Sequence, residues 1–186
     1  MDQITAISVF VVAFALLLPA LTQRFSRNPK LFRKIKYIIL AAYVLANLYE
    51  TILFREVYEQ GIIKLVPFWS YAESLSLADG LQITNGRLLK QIILNILLYI
   101  PLGYLLPFIW PRLQRGLVSW KVVLIGFVCS AMTEISQMIF RIGWFEFDDM
   151  INNTMGCLIG CVMYGIIWRW NMGKERAETK VRKKSK

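Results

Sequence analysis

Long apolar stretches alternate with short polar segments along the chain. Each stretch is nearly free of charged residues, and together they cover about residues 4–22, 37–54, 89–110, 121–140 and 150–169. A helix needs about 20 apolar residues to cross a bilayer, and soluble domains do not contain five such runs in succession. The pattern therefore predicts an all-α membrane protein with five transmembrane helices.

These stretches predict a single membrane domain over residues 1–170, followed by a basic tail at 171–186. The one long connection is an outer loop at 55–88, and connections of this length are often functional. It contains an aromatic-rich stretch with a proline, residues 65–71, whose composition suits the headgroup layer of a bilayer. A tight turn is expected at residues 84–87, just before the third helix.

The distribution of Lys and Arg predicts the orientation. Of the 22 basic residues, 17 lie in residues 23–36, in residues 111–121 and from residue 169 onward. Basic residues accumulate on the cytoplasmic side of membrane proteins, so the N-terminus is expected outside and the C-terminus in the cytoplasm. No basic residue precedes the first stretch, which is the reverse of a signal peptide, and we expect it to stay in the mature protein.

Composition narrows the chemistry. The chain is 56% hydrophobic and 18% charged, with a net charge of +10, three cysteines and no histidine. Without histidine there is no imidazole base or imidazole metal ligand. The cysteines lie inside predicted spans and are expected to be small buried hydrophobic residues, so neither a metal nor a cofactor is predicted. The positive charges flank membrane spans, which argues against nucleic acid as a partner.

Polar residues within the spans are expected in the outer half of the membrane. Such residues are expensive in hydrocarbon and normally face a partner or a water-filled cavity. We therefore predict a polar cavity that opens to the outer surface, lined by Glu50, Asn95, Glu134, Gln137, Arg141, Asp149 and Asn153. Two structural alternatives remain: Arg141 could form an ion pair with Glu134 or Asp149 that fixes helix registration, and the asparagines could only bond helix to helix.

Small residues and prolines add two expectations about packing. Gly156 and Gly160, four residues apart on the fifth helix, are typical of close contact between helices. Pro101, Gly103 and Pro107 predict a kinked third helix whose freed carbonyls are satisfied by its neighbours.

Several of these residues together resemble the VanZ-like family. The motifs are the stretch from Asn95 to Pro107, then Glu134-xx-Gln137-xxx-Arg141, and then Asp148-Asp149-xxx-Asn153-xx-Gly156-xxx-Gly160. Residues 65–68 and Arg55 resemble further family positions, so that the similarity covers roughly residues 40–165. Residues 143–145 are bulkier than the polar turn usual in the family. The resemblance implies a multi-pass protein of a bacterial cytoplasmic membrane that raises resistance to teicoplanin.

Two functions are compatible with the sequence. The first is a non-enzymatic module that binds a lipid headgroup, a lipid-linked cell-wall precursor or the glycopeptide antibiotic. Its candidate ligand-binding residues are Arg55, Asn95, Glu134, Gln137, Arg141, Asp148, Asp149 and Asn153. The second is a membrane hydrolase or transferase acting on a lipid-linked envelope substrate, with Glu134 or Asp149 as general base. We favour the first, because histidine and a metal-ligand motif are missing. The oligomeric state stays open.

Overall fold

Four long helices dominate the computed structural model, which describes residues 28–53, 57, 62–76, 82–114 and 116–184. The predicted first span, residues 4–22, and the candidate Arg55 lie outside the described residues. Four helices are long and apolar enough to cross a membrane, Pro29–Ile52, Gly86–Ile109, Trp120–Phe140 and Phe147–Trp170. The all-α membrane class is therefore confirmed for this part of the chain.

The helices are numbered here in chain order. The helix that begins at Pro29 continues into a π-helical turn at Tyr49–Leu53, and a short 3-10 helix at Pro111–Leu113 follows the helix that ends at Ile109. The helices are α1 Pro29–Leu48, α2 Trp69–Ser74, α3 Gly86–Ile109, α4 Trp120–Phe140 and α5 Phe147–Lys184.

Side-chain caps explain where two of the long helices begin. Asn28 accepts a hydrogen bond from the Leu31 N–H at 3.2 Å, and Pro29 occupies the first helical position, where its missing N–H does no harm. Asn85 accepts hydrogen bonds from the N–H groups of Arg87 and Leu88 at the start of α3. The turn expected at residues 84–87 is therefore a helix cap.

Helix bounds differ from the expected spans chiefly where charged residues occur. The second span was expected to begin at residue 37, whereas α1 begins eight residues earlier, at Pro29. Lys30, Arg33 and Lys34 lie on this added part, and charged residues at the end of a spanning helix extend toward the membrane surface. Likewise, α5 continues through the basic segment to Lys184.

Contacts between the helices fix their directions. The Tyr43 hydroxyl donates to the Leu98 carbonyl at 3.0 Å, and the Lys36 ammonium donates to the Phe108 carbonyl at 3.0 Å, so α1 and α3 are antiparallel. Helix α3 runs parallel to α5, which packs antiparallel to α4 through the contacts Asn153–Ser130 and Cys157–Val122. The end of the bundle where α1 and α4 finish and α3 and α5 begin is called the acidic end, and the opposite end the basic end.

Glycines bring α3 and α5 into backbone contact. A Cβ at Gly156 would lie 2.0 Å from the Ile96 carbonyl oxygen, and one at Gly160 would lie 2.0 Å from the Ile100 carbonyl oxygen. Gly103 on α3 meets the backbone of Cys157 equally closely. The close packing expected from the glycine spacing is confirmed, and Cys157 and Cys161 are fully buried beside it as free thiols.

Two short strand pairs organise the connection between α1 and α3. Ile63–Lys64 pairs in parallel with Phe145–Glu146, directly before α5, and Leu75–Ser76 pairs antiparallel with Gln82–Ile83. The aromatic stretch at 65–71 contributes the loop and the first residues of α2. The connection is thereby attached to the acidic end of the bundle.

Candidate functional site

Buried carboxylates concentrate at the acidic end. Glu134, Glu146, Asp148 and Asp149 are 2%, 6%, 0% and 5% exposed, respectively. Burying a carboxylate is unfavourable unless hydrogen bonds or positive potential offset the lost hydration. Two of the four, Asp148 and Asp149, occupy the first turn of α5, where the helix dipole favours negative charge.

Asp148 fastens the connection to α5. Its Oδ1 accepts from the Phe68 N–H at 2.6 Å, while its Oδ2 accepts from the Ser70 N–H at 2.9 Å and from the Ser70 hydroxyl at 2.6 Å. Phe68 adopts a left-handed backbone conformation, with φ of 62°. That conformation is unfavourable for a bulky residue, and the Asp148 bonds hold it. Asp148 thus acts here as a positioning residue.

Tyr71 adds a second attachment one helical turn further along α5. Its hydroxyl donates a hydrogen bond to Oδ1 of the fully buried Asn152. Burial raises the pKa of the Tyr71 phenol above its ordinary 10.0, and the nearby carboxylates of Asp148 and Asp149 raise it further. The phenol therefore stays protonated and can donate at every physiological pH.

Lys64 contributes a cationic contact on the same side. Its ammonium lies 3.3 Å from the ring centroid of Trp69 and 4.3 Å from that of Trp144, within cation–π range of both. Trp144, one of the bulky residues at 143–145, thus helps to anchor the aromatic stretch.

The remaining carboxylates join α3, α4 and the strand before α5. Glu134 Oε2 accepts from the backbone N–H of Glu146 at 3.0 Å. The Gln91 amide nitrogen lies 3.1 Å from Asp149 Oδ2 and 3.5 Å from Glu146 Oε2, so that one donor serves two carboxylates. These contacts join α3, α4 and the start of α5 at the acidic end.

Amide side chains extend this polar cluster. Gln137 on α4 donates to the Thr51 carbonyl at 3.0 Å, within the π-helical turn that ends α1. Single π-helical turns are frequent at functional sites. Asn153 on α5 donates to the Ser130 hydroxyl on α4 at 2.9 Å. All four long helices consequently contribute to the cluster.

Several buried polar atoms in this cluster have no hydrogen-bond partner among the described residues. They are Trp69 Nε1, Asn95 Nδ2, Gln137 Oε1, Asn152 Nδ2 and Asn153 Oδ1. More than nine-tenths of buried polar groups in proteins are paired, and the five unpaired atoms found among the described residues all lie toward one end of the bundle. Because they include both donors and acceptors, they suit a ligand that can accept and donate hydrogen bonds.

Seven of the eight predicted ligand-binding residues lie in the described part of the chain, and they differ in burial. Glu134, Gln137, Asp148, Asp149 and Asn153 are buried at the acidic end, and Asn95 is half-buried there. Arg141 ends α4 in a left-handed conformation with φ of 55°, and its side chain is exposed.

Sequence reasoning missed several residues of the cluster, among them Ser70, Tyr71, Gln91, Glu146 and Asn152. One of them carries a usable signal, since Asn152 follows Asp148 by four residues and shares its helix face. Asn153 follows Asp149 in the same way. The pairing of Ser70 and Tyr71 with α5 depends on chain segments some eighty residues apart and has no local signal.

A groove lies beside the acidic cluster, between α1 and α4, with residues of α3 at its base. It has a volume of about 310 Å³ and is called the lateral groove, with walls formed by Val44, Leu48, Ile52, Leu102, Cys129 and Met132. Asn47, Thr133 and Ser136 supply its polar lining, together with Tyr43 and Tyr99. Among the described residues, no group of three or more cysteines and carboxylates is arranged to hold a metal ion.

These features define an all-α, multi-pass membrane protein whose polar residues converge at one end of a helical bundle. The family model described as VanZ/LLP1 matches residues 34–168, from the second turn of α1 into the apolar part of α5. The chain belongs to the VanZ-like family, as its motifs indicated. Comparison with curated proteins and with solved structures finds no match.

Proposed function

We propose that this protein is a non-enzymatic binding module of the bacterial cytoplasmic membrane. Its acidic end would face outward and hold the polar part of a lipid-linked envelope component, or the glycopeptide antibiotic itself, and so reduce the action of teicoplanin. One observation carries the proposal: buried amide atoms on α3, α4 and α5 lack partners among the described residues, at Asn95, Gln137, Asn152 and Asn153.

The chemistry of these atoms supports a ligand with hydroxyl or amide groups. Asn95 and Asn152 each offer an unused N–H, whereas Gln137 and Asn153 each offer an unused carbonyl oxygen. Sugars and peptides present both kinds of group, and both occur in cell-wall precursors and in glycopeptides. Arg141, exposed where α4 ends, would pair with a phosphate or carboxylate of the same ligand.

The basic residues support the assumed orientation. Lys30, Arg33 and Lys34 begin α1, and the basic segment of α5 lies beyond the same end of the bundle. The excess of Lys and Arg on cytoplasmic segments then favours an outward acidic end.

The proposal is tested by producing the protein in teicoplanin-sensitive cells and measuring binding of labelled teicoplanin to them. We expect the wild type to reduce binding, and Gln137→Leu to abolish that reduction at equal protein level. The matched control is Gln114→Leu, which also removes a buried amide but lies at the basic end, where Gln114 donates to the carbonyls of Gly116 and Leu117. This control should still reduce teicoplanin binding.

Mass spectrometry of membrane lipids and lipid-linked wall precursors from the same cells separates binding from catalysis. An unchanged profile supports the binding module. A new or depleted species that disappears in Glu134→Gln or Asp149→Asn would show a hydrolase or transferase and overturn the proposal. Equal teicoplanin binding with and without the wild-type protein would also overturn it.

A further inference from the structure

The lateral groove is accessible from the side of the bundle. Three of its wall residues, Val44, Leu48 and Met132, are 40%, 42% and 63% exposed on the bundle surface. All three lie within helices that are long and apolar enough to cross a membrane. In a bilayer this opening therefore faces hydrocarbon rather than water.

The groove borders the acidic cluster. Thr133 lines it, and Gln137, one helical turn further along the same face of α4, is buried in the cluster. On the opposite wall, Ile52 follows Thr51, whose carbonyl accepts the hydrogen bond from Gln137. A molecule in the groove would thus lie one helical turn from Gln137, whose side-chain oxygen is unpaired among the described residues, and would contact hydrocarbon along its length.

We infer that the lateral groove holds one hydrocarbon chain of a membrane lipid whose polar group lies in the acidic cluster. This rests on the proposed function and deepens it, because it assigns the ligand to the class of membrane lipids. The pattern of polarity carries the inference. Most of the groove wall is apolar, and the polar side chains of its lining are hydrogen-bonded within the protein: Tyr43, Asn47, Tyr99, Thr133 and Ser136.

The size of the groove favours a chain over a protein segment. A volume of about 310 Å³ lies at the lower end of the range for small-molecule sites, about 300–1,000 Å³. A transmembrane helix is about 10 Å in diameter with its side chains and would need a much wider cleft. A single flexible chain fits between two helices without separating them.

The two parts of the site make different contributions. Lipid tails are as apolar as the groove walls, so moving a chain from bulk lipid into the groove yields little hydrophobic free energy. Affinity must then come from hydrogen bonds in the acidic cluster, while the groove selects for a molecule anchored in the membrane. A ligand without a chain should bind the cluster more weakly or not at all.

The test uses the full chain in phospholipid vesicles, with benzoylphenylalanine in place of Met132 as a photoreactive group in the groove. The vesicles contain phosphatidylglycerol and total lipid extract from the producing bacterium. After irradiation, mass spectrometry identifies what is attached at position 132. We expect lipid adducts there, enriched in one lipid class relative to the vesicle composition.

Two neighbouring substitutions on α1 provide the comparison. Val44→Trp fills the groove and should lower the enriched adduct about tenfold, equivalent to about 1.4 kcal/mol of preference. Leu45→Trp is the matched control, because Leu45 is 67% exposed and is not part of the groove wall. It should leave the adduct unchanged.

Several outcomes would overturn the inference. These are attachment of position 132 to protein, adducts that only mirror the vesicle composition, or equal adducts in Val44→Trp and Leu45→Trp. If teicoplanin binding still depends on Gln137 in any of these cases, the binding module survives and only the lipid assignment fails. Loss of the Gln137 dependence would instead remove the proposed function itself.

Discussion

Two helices that both contact α3 are held in very different ways. In the apolar stretch of α5, half of the residues are buried in the bundle, and glycines bring its backbone against α3. In the apolar stretch of α1, only 17% of the residues are buried. Hydrogen bonds from Tyr43 and Lys36 attach α1 to α3, and both are made by side chains. The molecule thus combines a rigid pair, α3 with α5, and a lightly attached helix, α1.

This difference has a physical origin and a functional consequence. Within a bilayer, helices associate through close van der Waals packing and hydrogen bonds rather than through the hydrophobic effect. The rigid pair has the glycines for such packing and carries most of the polar cluster. Helix α1 contains no glycine and contributes few residues to the polar cluster. The space between it and α4 is the lateral groove.

The largest expected effect comes from placing a side chain in the α3–α5 contact. Gly156→Leu would drive carbon atoms into the Ile96 carbonyl, since even a Cβ would lie 2.0 Å from that oxygen. We expect the free energy of unfolding in mixed detergent micelles to fall by about 3 kcal/mol. Gly173→Ala is the control, because nothing lies within 4 Å of its added Cβ. Equal stability of both variants would contradict the rigid pair.

A smaller loss of stability is expected where Asp148 attaches the connection between α1 and α3 to α5. Asp148→Ala removes three hydrogen bonds and leaves the N–H groups of Phe68 and Ser70 without their acceptor. Loss of bonds to a charged group should lower the free energy of unfolding by about 2 kcal/mol. Hydrogen exchange should quicken at residues 62–76 far more than in α1.

Asp148→Asn keeps the shape of the side chain and one carbonyl acceptor, so its effect should be intermediate. If Asp148→Ala leaves exchange at residues 62–76 unchanged, Asp148 does not position this segment.

How far the sequence predicts this molecule depends on the range of the interactions. Periods of apolar residues are local, so the α3, α4 and α5 spans and the glycine contact near Gly156 could be found directly. Burial of Glu134, Asp149 and Asn153 at one end also followed, because helix rise converts sequence position into depth.

The contacts that complete the cluster could not be predicted in this way. Ser70 meets Asp148, and Tyr71 meets Asn152, across some eighty residues whose loop path has no periodic signal. Arg141 was expected to line the cavity because it follows Gln137 by four residues. The helix ends at that residue in a left-handed turn, which leaves the side chain exposed.

Loosening α1 should have a modest effect on stability. Tyr43→Phe removes the hydroxyl that donates to the Leu98 carbonyl, and interhelical hydrogen bonds in membranes are worth about 0.6 kcal/mol on average. Distances between spin labels on α1 and α3 should broaden, while distances between α3 and α5 should not. Tyr37→Phe serves as control, since Tyr37 is 46% exposed. Equal broadening in both helix pairs would refute the idea that α1 is attached separately.

A substitution on the rigid pair itself is expected to have the smallest effect on stability and a large effect on function. Asn95 has a buried amide nitrogen without a partner among the described residues, so the folded protein carries an unmet desolvation penalty at this position. Asn95→Leu replaces the amide with an apolar group of similar volume and should leave the free energy of unfolding unchanged or slightly raised. If the amide serves a ligand, the same variant should lose its effect on teicoplanin binding to cells. Asn85→Leu reverses both results: it removes the cap of α3, lowers stability by about 1 kcal/mol and retains function. A clear loss of stability in Asn95→Leu would show that the amide has a structural partner, and the rigid pair would then be only a scaffold.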